Sequence, residues 1–80
     1  MSIIVTGAAG FIGSNFVLNW LTNNKEKVIA LDKLTYAGNL ENLKSIESNS
    51  NYTFVKGDIG DSALITKLLK DNQPRAIVNF

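Results

Sequence analysis

Four short apolar runs divide the chain, and each of them is predicted to be a β-strand. They span residues 2–6, 28–32, 52–56 and 76–80. The first two are continuous runs rich in β-branched residues, which is typical of strands that are buried on both faces. The third run alternates in character and is bounded by polar and glycine-containing segments, as strands commonly are.

Helical periodicity fills the segments between these runs. After the first strand, apolar residues recur at helical spacing and polar residues fall on the opposite side. The apolar members are Ile12, Phe16, Val17, Trp20 and Leu21, and the polar ones are Ser14, Asn15, Asn19 and Thr22. Further along, Asn39 is placed to cap a short helix that carries Leu40, Leu43 and Ile46.

The last helix is predicted to begin after Asp61, a suitable N-cap, and to end before Pro74. Its apolar face is expected to comprise Leu64, Ile65, Leu68 and Leu69, with Lys67 and Lys70 near the negative end of its dipole.

Strands that alternate with helices in this way predict an α/β fold. We expect a parallel sheet with right-handed crossovers, flanking helices and strand order 3-2-1-4.

A glycine-rich loop joins the first strand to the first helix. Gly7 permits a tight turn, Gly10 removes a Cβ from the path of a bound pyrophosphate, and Gly13 allows the helix to pack closely on the sheet. The amides of Gly10, Phe11 and Ile12 are then expected near the helix N-terminus, which favours a diphosphate. The spacing is G-x-x-G-x-x-G and no G-K-[ST] follows, so phosphate transfer is disfavoured. The alternative is a tight turn without a ligand.

Asp32 ends the second strand. Dinucleotide-binding domains place an acidic residue roughly 20 residues after the glycine loop, and Asp32 lies at about that distance. Its carboxylate is suited to accept both hydroxyls of an adenosine ribose and to repel a 2′-phosphate, which favours NAD over NADP. The adjacent Lys33 weakens that preference. The alternative is an aspartate that only ends the strand. With the loop, Asp32 predicts a Rossmann-type NAD site.

Asp58 occupies the corresponding position after the third strand, where it is suited to accept from the adenine amino group while Ile59 meets the ring. The alternative is a β-turn aspartate within Gly-Asp-Ile-Gly.

Tyr52 and Lys56 have the Tyr-x-x-x-Lys spacing of a catalytic pair, but on a strand four residues span about 13 Å, too far for joint action. We therefore give this pair no catalytic role.

The amino-acid composition and charge argue against several other kinds of protein and site. The net charge is +1 and the charges are scattered, so no nucleic-acid partner is predicted. The chain has no Cys and no His, so we predict no disulfide and no metal site. The apolar start is too short for a signal peptide or a membrane span, and we expect a cytoplasmic protein with no membrane partner.

Residues 5–16 resemble the opening of enzymes of the extended short-chain dehydrogenase/reductase family. Residues 31–43 and 54–59 resemble, more narrowly, the branch of that family that dehydrates dTDP-glucose. We therefore expect residues 1–80 to be the N-terminal part of an NAD-binding Rossmann domain, an incomplete domain whose substrate domain is absent from this chain. A homo-oligomer is expected.

The resemblance implies roles for particular residues. Phe11 and Ile12 would touch the pyrophosphate, Asp58 and Ile59 the adenine, and Phe80 would begin the next cofactor loop. The set expected at the adenosine ribose is Asp32, Lys33, Leu34 and Thr35.

The resemblance also implies an activity. Such enzymes use NAD⁺ to oxidise the C4 hydroxyl of dTDP-glucose, eliminate water across C5 and C6, and return the hydride to C6. Their catalytic residues would lie beyond Phe80, so this chain alone is expected to be inert. Two alternatives stay open: another extended short-chain enzyme, such as a nucleotide-sugar epimerase or decarboxylase, and a non-catalytic dinucleotide-binding module.

Overall fold

The structure is a computed structural model that describes residues 1–34 and 40–80, and strands and helices alternate along it. The elements are β1 (Ser2–Thr6), α1 (Phe11–Asn23), β2 (Lys27–Asp32), a 3₁₀ helix (Leu40–Ile46), β3 (Tyr52–Lys56), α2 (Ser62–Asn72) and β4 (Ala76–Asn79). Each predicted strand and helix is present. The predicted cap Asn39 lies outside the described residues.

The strands form one parallel sheet in the order β3-β2-β1-β4, as predicted. Ile4 of β1 pairs with Ile29 of β2 on one side and with Ile77 of β4 on the other. In a parallel sheet all the strands end at the same edge. The segments that follow Thr6, Asp32, Lys56 and Asn79 therefore converge there, and this edge carries the candidate site.

Each face of the sheet carries its own hydrophobic cluster, because strand side chains alternate between the two faces. On one face Val5 and Val28 pack with Val17 of α1 and with Leu43 of the 3₁₀ helix. On the other face the core is smaller and brings Leu68 of α2 against the sheet. Every residue of β1 is buried, which confirms its assignment as a central strand.

The first helix lies unusually close to the loop that precedes it. A Cβ built on Gly13 would lie 2.1 Å from the carbonyl oxygen of Gly7, so only glycine fits there.

Two side chains of α1 differ from their predicted places. Ser14, expected on the polar side, is 3% exposed beside this close approach, and its hydroxyl donates to the Phe11 carbonyl at 3.1 Å. Ile12, expected in the core, is 68% exposed, and its neighbour Phe11 is 79% exposed, so the first turn of α1 is not covered by the rest of the described chain.

The second helix has the predicted cap. The Asp61 carboxylate accepts a hydrogen bond from the Leu64 amide at 3.1 Å. The helix ends at Gln73, which takes a left-handed conformation with φ of 45°, one residue before Pro74. Leu69 was expected on the apolar face but is 40% exposed, because α2 packs on the sheet through Leu64, Ile65 and Leu68.

The remaining differences are small. Strand β4 ends at Asn79 rather than Phe80, although the Phe80 amide still donates to the Thr6 carbonyl at 3.2 Å. Tyr52 and Lys56 are the first and last residues of β3, as the spacing argument required. No helix in residues 1–34 or 40–80 has the length and apolar character needed to cross a membrane.

Candidate dinucleotide site

The glycine loop makes a tight turn directly above the end of β1. Gly7 has φ of +68°, a left-handed conformation that glycine adopts without penalty. A Cβ at this position would also lie 2.8 Å from the Phe80 carbonyl oxygen. The turn is closed by a hydrogen bond of 3.2 Å from the Gly10 amide to the Gly7 carbonyl. Both backbone conformation and space therefore require glycine at position 7.

The N-terminus of α1 has no cap from a side chain. Gly10 is the N-cap residue, with φ of −71° and ψ of 170°, and the first turn carries no acidic residue. Among the described residues no acceptor is bonded to the amides of Phe11 and Ile12. These donors lie at the positive end of the helix dipole, the environment that favours an anion. The Gly10 amide was expected to share in this role, but it is turned to Gly7.

The Asp32 carboxylate connects the loop to the end of β2. It is 3% exposed. Its Oδ2 accepts from the Ala9 amide at 2.9 Å, and its Oδ1 accepts from the Leu34 amide at 2.8 Å. The second bond closes a turn in which Leu34 has φ of 59°, a conformation that costs a non-glycine residue about 1 kcal/mol or more. The carboxylate thus fixes two backbone segments beside the crevice.

A second carboxylate lies across the sheet edge. Asp58 Oδ1 accepts from the Gly60 amide at 2.9 Å, and Oδ2 lies 3.6 Å from the Lys33 ammonium. The Gly60 hydrogen bond and then the Lys33 charge lower the pKa of Asp58 below its ordinary value. The carboxylate therefore stays ionised at neutral pH. The β-turn role that the sequence left open is present here.

These segments enclose a crevice of about 200 Å³ at the carboxyl edge of the sheet. Its lining includes six residues predicted from the sequence: Gly7, Asp32, Lys33, Asp58, Ile59 and Phe80. Gly10, Phe11, Ile12 and Gly13 form the loop and first helical turn beside it, and Leu34 lies in the turn after β2. Thr35 falls outside the described residues.

Four lining residues were missed by the sequence analysis: Thr6, Leu31, Gly57 and Asn79. Each lies at or next to the end of a strand, and the rule that ligands bind beyond strand ends could have identified them. Two of them touch, because the Thr6 hydroxyl donates to the Asn79 side-chain oxygen. Phe80 is held from the other side by Phe16, with ring centroids 5.4 Å apart.

A separate crevice of about 250 Å³ lies on the face of the 3₁₀ helix, lined by Leu43, Glu47, Tyr52 and Phe54. Burial, and then the charge of Glu47, raises the pKa of the Tyr52 hydroxyl. No glycine loop and no helix N-terminus contributes to this lining. The charged residue of this lining is Glu47, an anion, which disfavours an anionic ligand.

Comparison with known proteins places this geometry in context. The sequence model of the GDP-mannose 4,6 dehydratase family matches residues 4–80. A dTDP-glucose 4,6-dehydratase of Xanthomonas campestris is 57% identical over 77 residues, which are 96% of this chain and 22% of that protein. The low-salt glycan biosynthesis protein Agl12 of Haloferax volcanii is 49% identical over the whole chain and 25% of its own length. The chain thus spans about a quarter or less of these relatives.

Solved structures agree. The dTDP-glucose 4,6-dehydratase of Bacillus anthracis, determined in complex with NAD, superposes with a TM-score of 0.95 at 51% identity, over all of this chain and 26% of that one. A UDP-glucuronic acid 4-epimerase of Bacillus cereus with bound NAD gives 0.84 at 34% identity, with the same coverage. The sheet order and flanking helices are therefore those of this group of enzymes.

Proposed function

Because the chain belongs to the GDP-mannose 4,6 dehydratase family, we propose that it is the NAD-binding part of a nucleotide-sugar dehydratase. The observation that carries this proposal is the uncapped start of α1 beside the buried Asp32 carboxylate. Open amides at Phe11 and Ile12 supply donors for a diphosphate. The crevice lined by Gly7, Asp32 and Asp58 at the same edge of the sheet has room for a bound group. The relatives solved with NAD have the same fold over this region.

The residues present fit a dinucleotide. Phe11 and Ile12 would bind the pyrophosphate through their amides, and Gly10 would leave room for it. Gly7 and Gly13 keep the loop free of Cβ atoms where backbone lies close. On the β2 side, Asp32 would accept from the adenosine ribose, and Lys33, Leu34 and Thr35 are the other residues that we propose for the ribose. Asp58 and Ile59 would meet the adenine, and Phe80 closes the crevice beside Gly7.

Bound NAD would supply a hydride acceptor that returns the hydride later in the same turnover. The complete reaction we propose converts dTDP-glucose to dTDP-4-keto-6-deoxyglucose by oxidation, water elimination and hydride return, which makes the full protein a lyase. No residue of this chain is assigned a catalytic role. The substrate-binding part would belong to the remaining three quarters of the relatives' length, so residues 1–80 bind the cofactor and position it.

A nucleotide-sugar epimerase is the second candidate, because an epimerase structure superposes on the whole chain. The dehydratase is favoured by the higher identity, 51% against 34%, and by the higher TM-score. Both enzymes use the same dinucleotide half, so the cofactor proposal does not depend on the choice between them. We also propose that the full protein is a homo-oligomer.

Thermal unfolding with NAD and NADP tests the cofactor proposal. A ligand that binds only the folded chain raises its melting temperature by mass action. We expect NAD to raise it more than NADP at equal concentration, because the buried Asp32 carboxylate repels a 2′-phosphate. Asp32→Asn should reduce the difference. Asp71→Asn, which removes an exposed charge on α2, is the matched control and should leave it unchanged. Equal shifts with both nucleotides would contradict the proposal.

A further inference from the structure

Ala9 is held by side chains from two distant segments, one on each of the two peptide units that it joins. The Ala9 amide donates to Asp32, 23 residues along the chain, at 2.9 Å. The Ala9 carbonyl accepts from the Asn42 side-chain amide, 33 residues along the chain, at 3.1 Å. Ala9 itself is fully buried. Both polar groups of this residue are therefore fixed by side chains outside the loop.

This arrangement sets the direction in which the chain enters α1. The Ala9 carbonyl and the Gly10 amide belong to one planar peptide unit, so fixing the carbonyl fixes the amide as well. That amide donates to the Gly7 carbonyl and closes the turn. The next two amides, at Phe11 and Ile12, are the open donors of the helix start. A rotation of the Ala9–Gly10 peptide would redirect both of them.

Asn42 is an unexpected partner, because the sequence analysis gave it no role. It lies on the 3₁₀ helix next to Leu43, the residue that anchors this helix in the core. Asn42 itself is exposed and is not part of the core. Its side chain is therefore available for the loop, and the core supplies a rigid base for it.

We propose that Asn42 is a positioning residue for dinucleotide binding. Its side-chain amide, opposite the Asp32 carboxylate, holds the Ala9–Gly10 peptide in the orientation that aims the Phe11 and Ile12 amides at a diphosphate. The loop is then ordered before the ligand arrives, so binding does not have to supply that ordering. This inference rests on the proposed function.

The test compares Asn42→Ala with Asn72→Ala. The Asn72 side chain makes a bond of the same kind and length, 3.1 Å to the Leu68 carbonyl, but within α2 and away from the loop. Dissociation constants for NAD and for adenosine, which lacks the diphosphate, are measured for each variant and for the unmodified chain. Hydrogen exchange of the Gly10 amide is followed without ligand.

We expect Asn42→Ala to weaken NAD binding about five- to tenfold, as the loss of one hydrogen bond does, and to change adenosine binding less than about twofold. The Gly10 amide should exchange faster in Asn42→Ala only. Asn72→Ala should leave both affinities unchanged. A purely structural role would weaken NAD and adenosine equally, and that result, or unchanged NAD binding, would overturn the inference. If the unmodified chain does not bind NAD, the proposed function itself fails.

Discussion

Replacing Gly13 with alanine would place a methyl group where the Gly7 carbonyl already lies. The built Cβ is 2.1 Å from that oxygen and 2.9 Å from its carbon. An ordinary contact between carbon and oxygen is about 3.3 Å or longer. Since both partners are backbone, α1 would have to move about 1 Å away from the loop, and no side chain can relieve the contact by changing its rotamer.

Two opposing effects determine the size of the change. Alanine is favoured over glycine within a helix by about 0.8–1 kcal/mol, which would stabilise the variant. Overpacking of a tight interior typically destabilises by about 1–3 kcal/mol, and a backbone contact this short belongs at or above the upper end. The net loss is therefore about 2 kcal/mol, out of a total stability of about 4–12 kcal/mol for a domain of this size. The melting temperature should fall by about 8–16 °C.

Thermal unfolding followed by far-UV circular dichroism measures this change. Gly60→Ala is the matched control, because a Cβ there would lie 3.4 Å from the nearest atom, Asp58 Oδ1, and the backbone conformation is ordinary. Its stability should stay within about 0.5 kcal/mol of the unmodified chain. If Gly13→Ala melts at or above the temperature of Gly60→Ala, the close packing of α1 on the loop is wrong.

Three further predictions concern the α2 cap, the charge of Asp58 and the edges of the sheet. Asp61→Ala removes the α2 cap and should lower stability by about 1 kcal/mol in urea unfolding, whereas Asp61→Ser should restore most of it; equal losses would contradict the cap. The lowered pKa of Asp58 favours its ionised form in the folded chain. The contribution of Asp58 to folding stability is therefore present above the ordinary aspartate pKa and is lost as the pH falls through the lowered pKa. Asp58→Asn should therefore show a shallower fall in melting temperature between about pH 5 and pH 3, and an unchanged slope would refute this. The sheet edges at β3 and β4 predict self-association, and a sedimentation coefficient that does not change with concentration would refute it.

The sequence predicted the strand order and the position of the glycine loop because both follow from local signals. Continuous β-branched runs mark the central strands, and their alternation with helices allows few topologies. Asp32 was identified by its distance from the loop, and it does lie at the end of β2 beside the loop. Binding by the individual site residues stays a prediction.

The contacts that were missed are long-range. The bond from Ala9 to Asp32 and the bond from Asn42 to Ala9 join segments 23 and 33 residues apart, and no local pattern encodes them. The burial of Ser14 likewise follows from the close approach that Gly13 allows, not from helical periodicity. Leu69 is exposed. The burial of an apolar residue on a helix depends on which element packs against it, and the helix sequence does not specify that element.

Titration of the isotopically labelled chain with NAD, followed by amide chemical shifts, tests the binding site most directly. We expect the largest shifts at the amides of Phe11 and Ile12, with smaller ones at Ala9 and Leu34, whose amides bond to Asp32. Shifts confined to Tyr52 and Phe54, at the crevice beside the 3₁₀ helix, would contradict a diphosphate site at the start of α1.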